Sequence, residues 1–341
     1  MSDQASTKFG FTRRTFLASA STMGATSLLG VPLTATAEPP PETKRIRLVH
    51  AAAICLAPQY VAEELLRLEG FSEVSYVEMT SGNVIDGIYA GQADLTMDAA
   101  PAIVYAMDSQ PSLLALAGIH AGCYELFGDE SVNAIRDLKG KTISVYALGG
   151  ADHVLLASML AYVGMDPRRD VNWISGDKTL DAMQLFIERK ANAFMGFPPA
   201  PQQLRARRIG HVIVNTAQDR PWSQYFCCML VTNREFAAKN PIAVKRALRA
   251  YLKAADICAQ EPERVARFMV EKGYEPKYDT ALEVLKSLPY RRWRDANPED
   301  TMRFLALRLH EVDMIKTPPQ KLISRATDWR FLNELKKELK A

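Results

Sequence analysis

The stretch Ile135–Pro167, IRDLKGKTISVYALGGADHVLLASMLAYVGMDP, writes both ends of a strand and of a helix into one short segment. The apolar run Thr142–Ala147 predicts a strand, Leu148-Gly149-Gly150 a turn, and Ala151–Val163 a helix. Gly164 is placed to end that helix and Pro167 to keep it from restarting. Two adjacent glycines, Gly149 and Gly150, allow positive φ and a close approach to the main chain. The helix aims its unpaired N–H groups and the positive end of its dipole into the turn. Asp152 and His153 fall in its first turn, where they either face a ligand or cap the helix. Alone, the unit suits an ordinary strand-to-helix connection as well as a ligand cradle.

The preceding chain repeats the pattern. Ile46–Ala53 is β-compatible, and Pro58 opens a helix that stops at Gly70. Val74–Met79 is a second strand, Val84–Tyr89 a short helix, and Ala93–Met97 a third strand. Pro101 starts another helix, and Leu113–Ile119 is a fourth strand. Such alternation predicts an α/β lobe with a largely parallel sheet. Ligands bind beyond the C-terminal ends of such strands. Those ends nominate Ile54 and Cys55, then Ser81, Gly82 and Asn83, then Asp98 and Ala99.

A second α/β lobe follows, with strands at Val171–Ser175, Ala191–Gly196 and His211–Val214 and helices at Leu180–Glu188 and Pro199–Arg208. Ser223–Thr232 reads as a return crossing, and long helical patterns dominate after Arg234. The expected division is therefore 38–120 plus 225–341 for one lobe and 121–224 for the other. Phe197, Trp222 and Tyr225 lie in or beside loops at strand ends, where aromatic side chains serve equally as cleft walls or as core. Glu125 is an acid in an apolar stretch, suited to a cationic ligand group, to Arg220 or to a hinge salt bridge.

Residues 1–37 read as a targeting segment. Arg13-Arg14 precede a mildly apolar run, and Ala35-Thr36-Ala37 has the small-x-small form of a cleavage site. The paired arginines followed by Phe16-Leu17 resemble a twin-arginine export signal, although Ala18 stands where that motif often has Lys. An exported, periplasmic protein cleaved after about Ala37 is expected, with the twin-arginine machinery as an export partner. The segment carries three bases and one acid, so the formal charge of +3 falls to +1 without it. That near-neutral balance gives no basic stripe for nucleic acid. Five cysteines are present, an odd number, and none has the C-x-x-C spacing of a structural zinc site. Buried free thiols are the expectation for most of them, an exported compartment also permits disulfides whose pairing the sequence does not choose, and no metal is expected. No Walker loop, dinucleotide fingerprint, metalloprotease helix or nucleophile elbow occurs, and no cofactor is expected.

The run DLKGKTISVYALGGADHVLLASMLAYVGMDP resembles a signature of the nitrate/sulfonate/taurine-type substrate-binding proteins of ABC importers. That superfamily includes the thiamine-pyrimidine-synthase-like proteins. Ala57-Pro58-Gln59-Tyr60-Val61-Ala62, Ala90-Gly91-Gln92-Ala93-Asp94 and Asn240-Pro241 look like further parts of it, so the resemblance spans nearly all of 44–341. It implies a type II periplasmic binding-protein fold: two α/β lobes, joined by two crossings, that close on a small ligand. It also implies a monomer that delivers a small polar solute to an inner-membrane permease. The loops nominated here bring no Lys or Arg, while Asp98, Glu125 and Asp152 add negative charge, which points away from a strongly anionic solute. Cys227-Cys228 is only a fragment of the pyrimidine-synthase Cys-rich motif, so that activity is not carried over. The alternative is a periplasmic enzyme on the same fold, using Cys or His and a cofactor.

Overall fold

Two sheets carry the architecture, and each alternates with helices in the order the apolar runs predict. The computed structural model describes residues 38–51, 53–79, 84–176 and 181–341. The first sheet contains β1 (Arg45–Val49), β2 (Glu73–Val77), β3 (Leu95–Ala99), β4 (Leu113–Ala121) and β10 (Phe226–Asn233). The second contains β5 (Glu125–Gly128), β6 (Thr142–Val145), β7 (Asn172–Ser175), β8 (Ala193–Gly196) and β9 (His211–Asn215). Their orders are β2-β1-β3-β10-β4 and β7-β6-β8-β5-β9. The two orders match position for position. In each, β1 or β6 pairs in parallel with two neighbours, and one antiparallel strand, β10 or β5, is inserted next to the edge. The chain crosses from β4 to β5 and returns from β9 to β10. This is the type II periplasmic binding-protein arrangement, with two α/β lobes and two crossings.

The helices are α1 (Ala57–Leu68), α2 (Asp86–Tyr89), α3 (Ala100–Ser109), α4 (Ala151–Tyr162), α5 (Ala182–Ile187) and α6 (Ala200–Arg207). After the second crossing come α7 (Arg234–Lys239), α8 (Pro241–Gln260), α9 (Pro262–Glu271), α10 (Tyr278–Ser287), α11 (Pro298–Glu311), α12 (Pro319–Ala326) and α13 (Arg330–Glu338). Pro stands at the start of α1, α3, α6, α8, α9, α11 and α12, where its missing N–H costs nothing. Amphipathic α8 lays its buried face, including Val244, Ala247, Leu248, Tyr251 and Leu252, against α1. The late helices thus pack on the first lobe as expected, but α11 also packs on α4 of the second lobe.

Buried polar side chains set the register of the first lobe. Gln59, fully buried on α1, donates to Val49 O at 2.8 Å and accepts from Met97 N at 3.0 Å, tying the helix to β1 and β3. Asp94 accepts from Arg47 N at 2.8 Å and from its guanidinium at 2.7 Å. Both belong to segments that carried the family resemblance, and both serve the scaffold. Three short elements differ from expectation. β5 forms where only a crossing was expected, and α7 and α12 were not anticipated. Asp98 lies within β3, not in a turn beyond it. The strand ladder to β10 continues through Ala99, because Cys228 and Met229 pair with Ala99 and Asp98.

Candidate functional site

Between the lobes lies a cavity of about 780 Å³. From the first lobe it is lined by the turn after β1 (Ala53, Cys55, Leu56), the end of β3 (Asp98, Ala99) and one side of α3 (Ala102, Tyr105, Ala106). The second lobe contributes Tyr146 through Asp152 and Phe197, and the first crossing contributes Cys123 and Tyr124. Tyr60 on α1 holds the β1 turn, its hydroxyl donating to Ala51 O at 2.6 Å and accepting from Ala51 N at 3.0 Å.

The β6–α4 turn has the form its sequence predicts. Gly149 adopts φ +80°, a conformation that strains any other residue. A side chain at Gly150 would meet the Ala147 carbonyl at 3.0 Å and Asp152 at 3.2 Å. Asp152 reaches back from the first turn of α4 and accepts from Tyr146 N at 2.6 Å. Burial raises its carboxyl to about 6, although that N–H opposes the shift. Asp98 is half-buried, and burial raises it further, to about 7, against the hydrogen bond from Ala99 N at 2.7 Å.

The lining is acidic and aromatic. Asp86, Asp98, Asp108 and Asp152 all contribute, and no Lys, Arg or His does so among the described residues. Tyr89, Tyr105, Tyr124, Tyr146 and Phe197 supply rings, with Tyr146 and Phe197 at 5.1 Å between centroids.

The cavity gathers Cys55, Asp98, Ala99, Gly149, Gly150, Asp152 and Phe197 from the residues nominated by sequence. Ser81, Gly82 and Asn83 lie outside the described residues. Five others stand off the lining. Ile54 is buried beneath the turn. His153 turns inward: its Nδ1 accepts from Gly149 N at 3.1 Å and its ring meets the edge of Trp173 at 4.6 Å. Burial lowers its pKa. Trp222 and Tyr225 surround Phe304 of α11 at 5.9 and 4.3 Å and line a separate void of about 30 Å³. Tyr124 borders both spaces.

Glu125 pairs with Arg205 of α6, not with Arg220. Arg205 also reaches Glu283 of α10 at 2.7 Å. Burial opposes the Arg205 charge, but its hydrogen bonds to the two carboxylates outweigh that and raise its pKa. Residues that sequence reasoning did not nominate include Tyr105, Tyr124 and Tyr146. Tyr105 and Tyr146 sit beside nominated turns, while Tyr124 sits in a crossing with no periodic signal.

A family model described as NMT1/THI5 like matches residues 57–265, more than half of the chain. The chain belongs to the NMT1/THI5-like family. No curated protein matched the sequence. Among solved structures, the periplasmic nitrate-binding protein NrtA from Synechocystis PCC 6803 superposes with a TM-score of 0.71 at 16% identity, covering 88% of this chain and 89% of that one. The alkanesulfonate-binding protein SsuA from Xanthomonas axonopodis pv. citri, bound to MOPS, gives 0.69 at 15% identity, covering 84% and 99%. The desulfurization enzyme DSZB gives 0.58 at 12% identity, covering 87% and 99%. These likenesses establish the shared fold of this NMT1/THI5-like protein. Among its described residues no helix is long and apolar enough to cross a membrane.

Proposed function

We propose that this protein is the periplasmic solute-binding component of an ABC importer and that its solute is a small polar molecule carrying a cation or several hydrogen-bond donors. The observation that carries the solute class is the cavity lining, with four carboxylates and no described cationic side chain. A nitrate or sulfonate placed there would meet like charge with no Lys or Arg to offset it. An amine would find carboxylates and ring faces, both favourable to a cation. The fold shared with the nitrate- and alkanesulfonate-binding proteins supports the delivery role.

In this reading Cys55, Asp98, Ala99, Gly149, Gly150, Asp152 and Phe197 contact the solute, joined by Ser81, Gly82 and Asn83. Ile54, Glu125, His153, Trp222 and Tyr225 position these groups. Capture needs only lobe closure, and no bond is made or broken. The paired arginines and small-x-small site of residues 1–37 support export through the twin-arginine route and cleavage after about Ala37. An inner-membrane permease receives the solute.

A thermal-shift screen of amines, sulfonates, nitrate, pyrimidines and carboxylates tests the reading. Amines are expected to raise the melting temperature, and Asp98→Asn or Asp152→Asn to weaken that effect at least tenfold in ligand concentration. Stabilisation by sulfonates or nitrate alone would overturn the solute class. A bound redox cofactor and turnover of a solute would favour the enzymatic use of the fold that DSZB represents.

A further inference from the structure

Four of the five cysteines and one histidine converge at the base of the cleft. Cys55 lies in the turn after β1, His120 near the end of β4, Cys123 in the first crossing, and Cys227 and Cys228 at the start of β10. All are buried. The Sγ atoms of Cys55, Cys123 and Cys228 lie within 4.8 Å of one another, and so do a ring nitrogen of His120 and the Sγ atoms of Cys227 and Cys228. Donors bonded tetrahedrally to one ion at about 2.3 Å stand about 3.8 Å apart, so the separations within each triad suit one ion after small side-chain rotations, and Cys228 belongs to both triads.

Two details set this cluster apart from thiols that merely fill a core. The first is the state of His120. Its Nδ1 is 3.3 and 3.2 Å from the carbonyl oxygens of Ala121 and Gly122, so Nδ1 carries the proton. Nε2 is then left fully buried with no well-formed hydrogen bond, and the Cys55 and Cys228 thiols are the groups beside the ring. An orphaned buried acceptor is costly, and a histidine pinned through one nitrogen by backbone carbonyls is how proteins orient a metal ligand. The second is a bulge. Consecutive strand residues normally point to opposite faces. The β10–β4 register shifts on both sides of Cys228, and the Cys227 and Cys228 sulfurs come within 3.9 Å of each other. Bulges re-aim side chains in this way beside functional sites.

We propose that Cys55, Cys123 and Cys228 bind one thiophilic ion of the Cu(I)/Zn(II) class at the floor of the cleft, and that His120, whose own triad shares only Cys228 with this one, moves in as the fourth donor. Soft thiolates with one imidazole select such ions. Cys55, Cys123 and Cys228 line the cavity, which provides the entry path. Each thiol that ligates releases its proton to solvent. Cys227 stands 2.7 Å from Cys123, too close for both to bind the same ion in this arrangement, and it serves as a neighbour to the site.

Anaerobic titration of the reduced full chain with Co(II), and then Zn(II), tests the site with no solute present. Its failure would therefore leave the solute-binding reading untouched. One equivalent of Co(II) is expected, with thiolate-to-Co(II) charge-transfer absorption that one equivalent of Zn(II) abolishes. Cys55→Ser and Cys228→Ser should lose that absorption and weaken Zn(II) binding at least tenfold. Cys258→Ser, whose thiol lies outside the cluster, should bind as the parent does. Circular dichroism of the metal-free variants checks that they fold, and the parent titration decides independently of them. No stoichiometric uptake by the reduced parent would overturn the proposal. So would unchanged spectra in Cys55→Ser and Cys228→Ser, or a Cys123–Cys227 disulfide whose reduction yields no metal-binding protein.

Discussion

Asp152 shows how one buried carboxyl links charge, pH and binding. Its pKa is about 6 in the folded chain against an ordinary 3.8, so the folded state holds its proton more tightly than the unfolded state does. The stability gained from that proton is complete below pH 4 and is lost as pH rises through about 6, amounting to roughly 3 kcal/mol at most. The solute-free protein is therefore expected to melt higher at pH 5 than at pH 8, and Asp152→Asn to flatten the difference. Affinity for a cationic solute should run the other way, falling by up to about tenfold per pH unit below 6. Calorimetric titration across pH 5–8 reads both trends. Gln59 makes a separate claim on stability. Gln59→Leu would strand the Val49 carbonyl and the Met97 N–H in the core, at about 1–3 kcal/mol for each group, measurable by urea unfolding. A polar residue between Pro58 and Tyr60 carries no sign of that role in the sequence, because its partners lie on two separate strands.

At the scale of elements, what could be read from the sequence depended on punctuation. β6, its glycine turn and α4 were legible because Gly149, Gly150, Gly164 and Pro167 mark every boundary; α4 ends at Tyr162 and Gly164 sits at φ +82°. β5 is four residues, Glu-Leu-Phe-Gly, buried throughout and without alternation, so nothing in it distinguished a strand from a crossing. The thiol cluster was invisible for a related reason. Metal spacings are recognised when ligands are neighbours in sequence, and here the turn after β1, β4, a crossing and β10 each bring one or two. Glycine also limits how closely elements approach. A Cβ on Gly118 of β4 would stand 2.3 Å from the Phe226 ring of β10. Gly118→Ala is expected to cost about 1–3 kcal/mol through forced displacement of that ring, read as a lower urea midpoint at unchanged slope.

Across the whole molecule, Arg205 joins a buried acid of the second lobe to an exposed acid on a helix that packs with the first. Removing Arg205 would leave Glu125 buried and unpaired, whereas Glu283→Gln cuts only the link between lobes. Glu283→Gln is expected to change stability by less than about 1 kcal/mol and to shift the solute-free protein towards a larger radius of gyration in small-angle scattering. An unchanged radius would confine Arg205 to local pairing. The matched strand orders also carry a temporal meaning. Every strand of the second sheet has been synthesised by residue 215, whereas the first sheet lacks β10, the strand that joins β3 to β4, until residue 233. The lobe encoded in the middle of the chain is thus the first that can finish folding, and the lobe that synthesis begins is the last to close.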